Sequence, residues 1–311
     1  MSDNLELSII VPVSERYDDV TQLYNDYKIG IQAYTKSYEF IYVLDGEFKE
    51  VYDELIKLKE SGEPIKIIKF AKWFGEATAL SAGFECCAAE IVLTLPAYYQ
   101  IESSGIIKLL EKIKTYDMAV GRRWPRIDSL FNRLQSRIFH WFYNAVSKDS
   151  FHDLGCGTRA FKRKIIDEIQ VYGDQHRFLP VLASRRGFKV IEVDVAQSRN
   201  DKPVRVYGIG VYLRRMLDIL TVFFLVKFTK KPLRFFGLIG TVTSMLGGVL
   251  LLYVIAERLF LGVSLGDRPA LLLSSLLLVL GVQILAMGLI GELIIFTHAK
   301  DMKEYTIEEI V

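Results

Sequence analysis

The chain has 311 residues, of which 51% are hydrophobic and 24% charged, with 39 Lys and Arg against 37 Asp and Glu. A formal net charge of +2 gives no case for nucleic-acid binding. The three cysteines, Cys86, Cys87 and Cys156, form neither a disulfide framework nor a zinc pattern, which suits a reducing compartment. The start, MSDNLE, is acidic and Leu7–Val13 is only strand-length, so no signal peptide is expected.

In chain order, Leu7–Val13 is a β-branched run that reads as a buried strand, followed by a helix over Asp19–Tyr34. Tyr38–Leu44 is a second strand ending at Asp45-Gly46, and Phe48–Ser61 a second helix. Ile65–Phe70 (strand), Gly75–Ala88 (helix), Glu90–Leu95 (strand), Ser104–Tyr116 (helix) and Met118–Gly121 (strand) continue the alternation. Strands separated by helices of about 10–15 residues predict an α/β fold on a mostly parallel sheet with helices on both faces. Ligands of such sheets bind outside the carboxyl ends of the strands. That draws attention to Ser14-Glu15, Asp45-Gly46, Lys72–Gly75 and Pro96–Gln100.

Further on, Leu130–Val146 mixes Arg133 and Arg137 with aromatics and suits a helix at lipid headgroups, or one packed on the core. Asp153–Arg159 offers a carboxylate, two glycines and an arginine in one loop, followed by a helix over Lys164–Ile169. Asp153 can act as a base, and Arg159 can pair with it or with a phosphate; an Asp cap with a structural Arg is the plainer alternative. Arg122 and Arg123 close a strand and suit a phosphate, or form a surface pair. Trp73-Phe74 and Tyr98-Tyr99 can stack on a base or simply pack. Val211–Phe228 begins with Arg214-Arg215 and turns apolar, as an interfacial helix does.

Phe235–Ala256 and Ala270–Gly291 are each about 22 residues without charge, long enough to cross a hydrocarbon core as a helix. Lys227, Lys230, Lys231 and Arg234 precede the first span; His298, Lys300 and Lys303 follow the second. In the loop between them, Arg258 and Arg268 are offset by Glu257 and Asp267. Basic flanks place both ends on the cytoplasmic side of the inner membrane. The expected division is residues 1–205 as the α/β domain, 206–233 as an interfacial helix, 234–297 as the two-span domain and 298–311 as a cytoplasmic tail.

Taken together, these residues resemble family 2 glycosyltransferases of the GT-A (Rossmann-like) fold, in the branch that loads a sugar onto polyprenyl (undecaprenyl or dolichyl) phosphate. The resemblance rests on the ordered set Val11–Glu15, Val43–Gly46, Lys72–Phe84, Gly121–Arg123, Asn132–Arg137 and Asp153–Arg159, with Lys231–Arg234 and Ile290–Glu292 at the spans. It implies an inverting transferase with a nucleotide-sugar donor, a polyprenyl-phosphate acceptor and contact with membrane lipids; a homo-oligomer is left open. It also implies that Pro12, Glu15, Asp45, Gly75 and Gln100 border the nucleotide. Arg122, Arg123, Arg133, Ser136 and Arg137 would hold diphosphate or acceptor phosphate, and Asp153 and Arg159 would serve the chemistry. The family's fourth strand normally ends in Asp-x-Asp, which holds Mg²⁺ or Mn²⁺; here Pro96 and Tyr98 stand at those positions. No protein metal ligand is therefore assigned, and Mg²⁺ or Mn²⁺ is left to arrive on the donor phosphates. The charge then falls to Arg122, Arg123 or Lys72. A catalytically degenerate binding or scaffold protein, or a transferase of altered donor or acceptor, is the alternative.

Overall fold

The computed structural model describes residues 5–125, 151–169, 173–201, 232–262 and 268–298. The chain forms two compact units, residues 1–222 with 304–311, and residues 223–303.

The first unit runs β1 (Leu7–Val13), α1 (Val20–Gln32), β2 (Tyr38–Leu44), α2 (Lys49–Glu60), β3 (Ile65–Lys69), α3 (Glu76–Glu85), β4 (Ile91–Thr94), α4 (Ser104–Lys112) and β5 (Met118–Arg123). It continues with β6 (Arg159–Lys162), α5 (Lys164–Glu168), a 3₁₀ turn (Gly173–Phe178), α6 (Leu179–Arg185) and β7 (Val190–Val195). The seven strands lie in the order β3-β2-β1-β4-β6-β5-β7. β3, β2, β1 and β4 are mutually parallel, β5 and β7 are parallel, and β6 runs antiparallel between β4 and β5.

The period-2 alternation of the strands divides the core. Leu7, Ile9, Val11 and Val13 of β1, with Phe40, Tyr42 and Leu44 of β2, meet Leu23, Tyr24, Tyr27 and Ile31 of α1 and Leu109 of α4. Ile10, Ile41 and Val43 point the other way, into a cluster with Ala79 and Leu80 of α3, Ile165 of α5 and Leu179 of α6. Helices therefore cover both faces, as the strand–helix alternation predicts. Asp19 caps α1 by accepting the Gln22 N–H at 2.8 Å.

β6 decides the site. Being antiparallel, it begins at the edge where β4 and β5 end, with Arg159 opposite both Thr94 and Val120. The segment leading into it, residues 153–158, is thereby delivered to the ligand-binding edge of the sheet. The sequence pattern predicts neither this strand, placing Arg159 at the end of a loop, nor the strand over Val190–Val195.

In the second unit, α7 (Pro232–Leu261) and α8 (Pro269–His298) each hold 30 residues, about 45 Å of helix. All of α7 and Pro269–Ile294 of α8 are long and apolar enough to cross a membrane. They run antiparallel and touch through glycines. A Cβ on Gly240 would sit 2.7 Å from the Gly281 carbonyl oxygen, and one on Gly247 would sit 2.9 Å from that of Ser274. Their outward faces are apolar and exposed, including Leu238, Leu252 and Leu272. Glu292 accepts the Leu233 N–H at 3.3 Å, satisfying a donor at the start of α7. Arg268 pairs with Glu257 at the other end. The expected helices over 130–146 and 211–228 lie outside the described residues.

α3 crosses β1 so closely that a Cβ on Gly83 would stand 2.5 Å from Ile10 Cγ2. Gly83→Val should cost about 1–3 kcal/mol of stability through overpacking, measured by denaturant unfolding of the solubilised full chain. An unchanged midpoint would mean that the contact yields freely.

Candidate active site

Four chain segments converge at the carboxyl edge of the sheet: residues 14–18 after β1, Asp45 after β2, residues 95–100 after β4, and residues 153–158 before β6. The turn after β7 joins them, with the Ser198 N–H donating to the Gln100 carbonyl at 3.1 Å.

Asp45 is 1% exposed. Its two carboxylate oxygens accept the N–H groups of Phe74 and Gly75 at 2.7 and 2.8 Å. Gly75 holds φ +100° as the residue before α3, a conformation that costs a side-chain-bearing residue. Asp45 thus fixes the β3–α3 loop, and with it the exposed Trp73 and Phe74. Glu15 is exposed beyond β1, while Pro12 is buried within that strand.

The Pro96–Gln100 segment is held from both sides. The Tyr27 hydroxyl lies 2.9 and 3.2 Å from the carbonyls of Pro96 and Tyr98, donating between them. Asp18 accepts the Tyr99 N–H at 3.0 Å. Gln100 is 1% exposed. Its Nε2 donates to the Tyr98 hydroxyl at 3.0 Å, and its Oε1 accepts the Gly157 N–H at 2.8 Å. Gln100 therefore joins this loop to the 153–158 loop.

Asp153, 2% exposed, accepts from Arg123 three times, from the backbone N–H at 3.1 Å, Nε at 2.7 Å and Nη2 at 2.9 Å. Burial alone would favour the neutral guanidine; the Asp153 carboxylate more than offsets it, and the Arg123 pKa lies above its usual value. Arg159 is buried too, and donates to the carbonyls of Leu154, Cys156, His176 and Arg177. Burial lowers its pKa to about 10. Burial also lifts the Cys156 thiol to about 11, so it stays protonated at neutral pH.

These contacts differ from the expected division of labour. Arg123 forks onto Asp153 rather than facing solvent, and Arg159 binds backbone carbonyls rather than Asp153 or an anion. Arg122 pairs with Asp194 on the adjacent strand, Nη2 to Oδ2 at 2.8 Å, on the exposed side of β5. Lys72 is exposed, 5.3 Å from the Phe74 ring centroid. Arg133, Ser136 and Arg137 lie outside the described residues.

Two features escaped the sequence reading. His176 is buried against Glu76 in the first turn of α3, Nε2 to carboxylate 3.6 Å, and its Nδ1 has no hydrogen-bond partner. Burial would raise the Glu76 pKa, but His176 and the nearby Arg177 and Arg159 hold it below the ordinary range. Arg16 lies with its guanidinium carbon 3.9 Å from the Tyr98 ring centroid and bonds Asp201 at 2.9 Å. Its sequence signal was its place beside Glu15, at the carboxyl end of β1.

The donor set does not suit a carboxylate-held divalent cation. The Tyr98 hydroxyl contacts Gln100, and burial followed by the Glu76 charge raises its pKa, so it is no anionic ligand at neutral pH. Asp153 and Asp201 are committed to arginines. Among the described residues, no group of three His, Cys, Asp or Glu gathers that could hold a metal ion.

The model of glycosyl transferase family 2 matches residues 8–170, just over half of the chain. The chain belongs to glycosyl transferase family 2. Within that family, this glycosyltransferase is similar to the dodecaprenyl-phosphate galacturonate synthase of Rhizobium johnstonii, 28% identical over 308 residues, covering 96% of this chain and 90% of that one. It is also similar to the undecaprenyl-phosphate 4-deoxy-4-formamido-L-arabinose transferase of Photorhabdus laumondii, 28% identical over 311 residues and covering 98% and 94%. The solved glucosyl-3-phosphoglycerate synthase of Mycobacterium tuberculosis, in complex with Mn²⁺, uridine diphosphate and phosphoglyceric acid, shares the fold. Its TM-score is 0.52 at 13% identity, covering 70% of this chain and 78% of that one. The sheet and its neighbours thus give this glycosyltransferase a GT-A-like fold.

Asp153→Asn removes the countercharge of a buried guanidinium in this glycosyltransferase. It should cost about 3–5 kcal/mol of stability, read from urea unfolding. Replacing the pair together, Arg123→Met with Asp153→Leu, should recover much of that loss. Full stability in the single variant would show that the pair does not anchor the loop.

Proposed function

We propose that this protein transfers a sugar from a nucleotide-sugar to a polyprenyl phosphate at the cytoplasmic face of the inner membrane, with inversion at the anomeric carbon. One observation carries the reading: a family 2 domain and two membrane-length helices share one chain, and two polyprenyl-phosphate transferases align with 96% and 98% of it. A phosphate acceptor attached to a long lipid requires a catalytic domain tethered at the bilayer. Basic residues before α7 and after α8 support cytoplasmic termini. The proposed division remains 1–205, 206–233, 234–297 and 298–311.

In the reaction, an acceptor phosphate oxygen attacks the anomeric carbon as the bond from that carbon to the donor diphosphate breaks. The bonding electron pair leaves with the nucleoside diphosphate. The attacking oxygen is already anionic at neutral pH, so the site's work is alignment and charge compensation more than proton removal. Pro12, Glu15, Asp45 and Gly75 border the nucleotide in this reading, with Asp45 shaping the wall by holding the Phe74–Gly75 backbone. Arg133, Ser136 and Arg137 take the acceptor phosphate. Asp153, Arg159 and Gln100 hold the loops that frame the reacting groups. Any Mg²⁺ or Mn²⁺ would be carried by the donor phosphates rather than by protein carboxylates. The likeness to a transferase and a synthase does not favour a non-catalytic scaffold.

The test is transfer by the purified full chain, supplied with nucleotide-sugars and polyprenyl phosphate, with and without EDTA. The expected outcome is a glycosyl polyprenyl phosphate of inverted anomeric configuration whose formation persists in EDTA. Strict metal dependence would contradict the charge assignment. Absence of transfer with every donor would contradict the enzymatic reading.

The protein should also resist carbonate extraction, and protease added outside spheroplasts should spare residues 1–230. Digestion of that region from outside would reverse the proposed topology.

A further inference from the structure

Breaking the glycosidic bond adds negative charge to the departing diphosphate, and a preorganised cation must meet that charge. This need follows from the transferase reading above. Where carboxylates do not hold a metal, a side chain has to supply the cation. Of the cations first expected in that role, Arg123 is held by Asp153 and Arg122 by Asp194, while Lys72 lies exposed over the Phe74 ring rather than at the Pro96–Tyr98 segment.

Arg16 is also ion-paired, to Asp201, but differs in place. It leaves the carboxyl end of β1 and lies on Tyr98, the residue standing where the second carboxylate of an Asp-x-Asp pair would be, 3.9 Å from the ring centroid. An aromatic ring cannot ligate a hard divalent cation, but its face attracts a guanidinium. The replacement that removes the metal ligand thus builds a platform for an organic cation. A guanidinium held over a ring still carries its N–H fork, whose geometry matches phosphate oxygens.

Asp201, 7% exposed, holds Arg16 at 2.9 Å and is itself held by Gln197 Nε2 at 2.7 Å. Arg16 keeps 27% of its side chain exposed. Asp201 reaches Arg16 from the segment after β7.

We propose that Arg16, seated on Tyr98, binds the donor diphosphate and compensates the leaving-group charge in place of a carboxylate-held metal ion. Asp201 is a positioning residue that keeps the guanidinium at this edge until the diphosphate competes for it.

The test is calorimetric titration of the detergent-solubilised full chain in EDTA with UDP, GDP, CDP and dTDP and with the matching monophosphates. For the diphosphate that binds, Arg16→Gln should weaken affinity about 10–100-fold and leave the monophosphate nearly unchanged. Arg16→Lys should retain part of the affinity, because it keeps the charge without the fork. Asp201→Asn breaks the same ion pair but spares the guanidinium, so diphosphate affinity should hold or tighten. Equal losses in Arg16→Gln and Asp201→Asn, for diphosphate and monophosphate alike, would overturn the assignment and leave a structural ion pair. Unchanged diphosphate affinity in Arg16→Gln would also overturn it, with the transferase reading intact. Wild-type protein that binds none of the four diphosphates and transfers no sugar would overturn the transferase reading, and this assignment with it.

Discussion

The buried contact between Arg123 and Asp153 is the constraint on which the catalytic edge depends. Two opposite charges out of water are tolerated only when geometry and further hydrogen bonds compensate for lost hydration. Here three bonds from one arginine meet one carboxylate. They tie the end of β5 to the segment entering β6. Arg159 then gathers four carbonyls from that segment and the 3₁₀ turn, while Gln100 stitches it to the end of β4. This loop is held by charge and polar bonds as well as by the buried Leu154 and Cys156. Such an arrangement is costly to vary one residue at a time.

The same commitment shapes the electrostatics of the reaction. Arginines buried to hold loops cannot also turn toward a substrate without leaving a carboxylate or carbonyls unpaired. In the proposal above, Arg16 gives up Asp201, which keeps its bond from Gln197 Nε2, and so serves as the working cation. The working cation sits at the partly exposed end of β1, over a tyrosine. With Pro96-Ala97-Tyr98 in place of Asp-x-Asp, the site lacks two anions and gains an aromatic surface. Both differences favour a guanidinium over a divalent ion.

Much of the fold was legible because its signals are local. The runs Leu7–Val13 and Tyr38–Leu44 are strand-length and apolar on both faces, as parallel strands buried by helices must be. The two spans announce themselves by length and lack of charge. β6 was not legible: four residues, Arg159-Ala-Phe-Lys162, take strand form only because β4 and β5 offer ladders on either side. α3 stops at Glu85, short of the expected Ala88, whose N–H is taken by Glu39 at 3.0 Å. At the site, the chemical types were readable and their partners were not. Asp45 looks like a nucleotide ligand or a turn residue until the loop 29 residues onward folds back and supplies two N–H donors. Arg16 carries no motif; its position over Tyr98 exists only once β1 and β4 are neighbours.

The account turns on what faces the donor diphosphate. An experimental structure of the full chain with a nucleoside diphosphate and Mn²⁺, with anomalous diffraction recorded for manganese, tests it most directly. The account predicts the Arg16 guanidinium within hydrogen-bond distance of the diphosphate, still on the Tyr98 ring, with no manganese peak between the phosphates and protein oxygens. Manganese bridging the diphosphate to protein oxygens, with Arg16 still on Asp201, would contradict it.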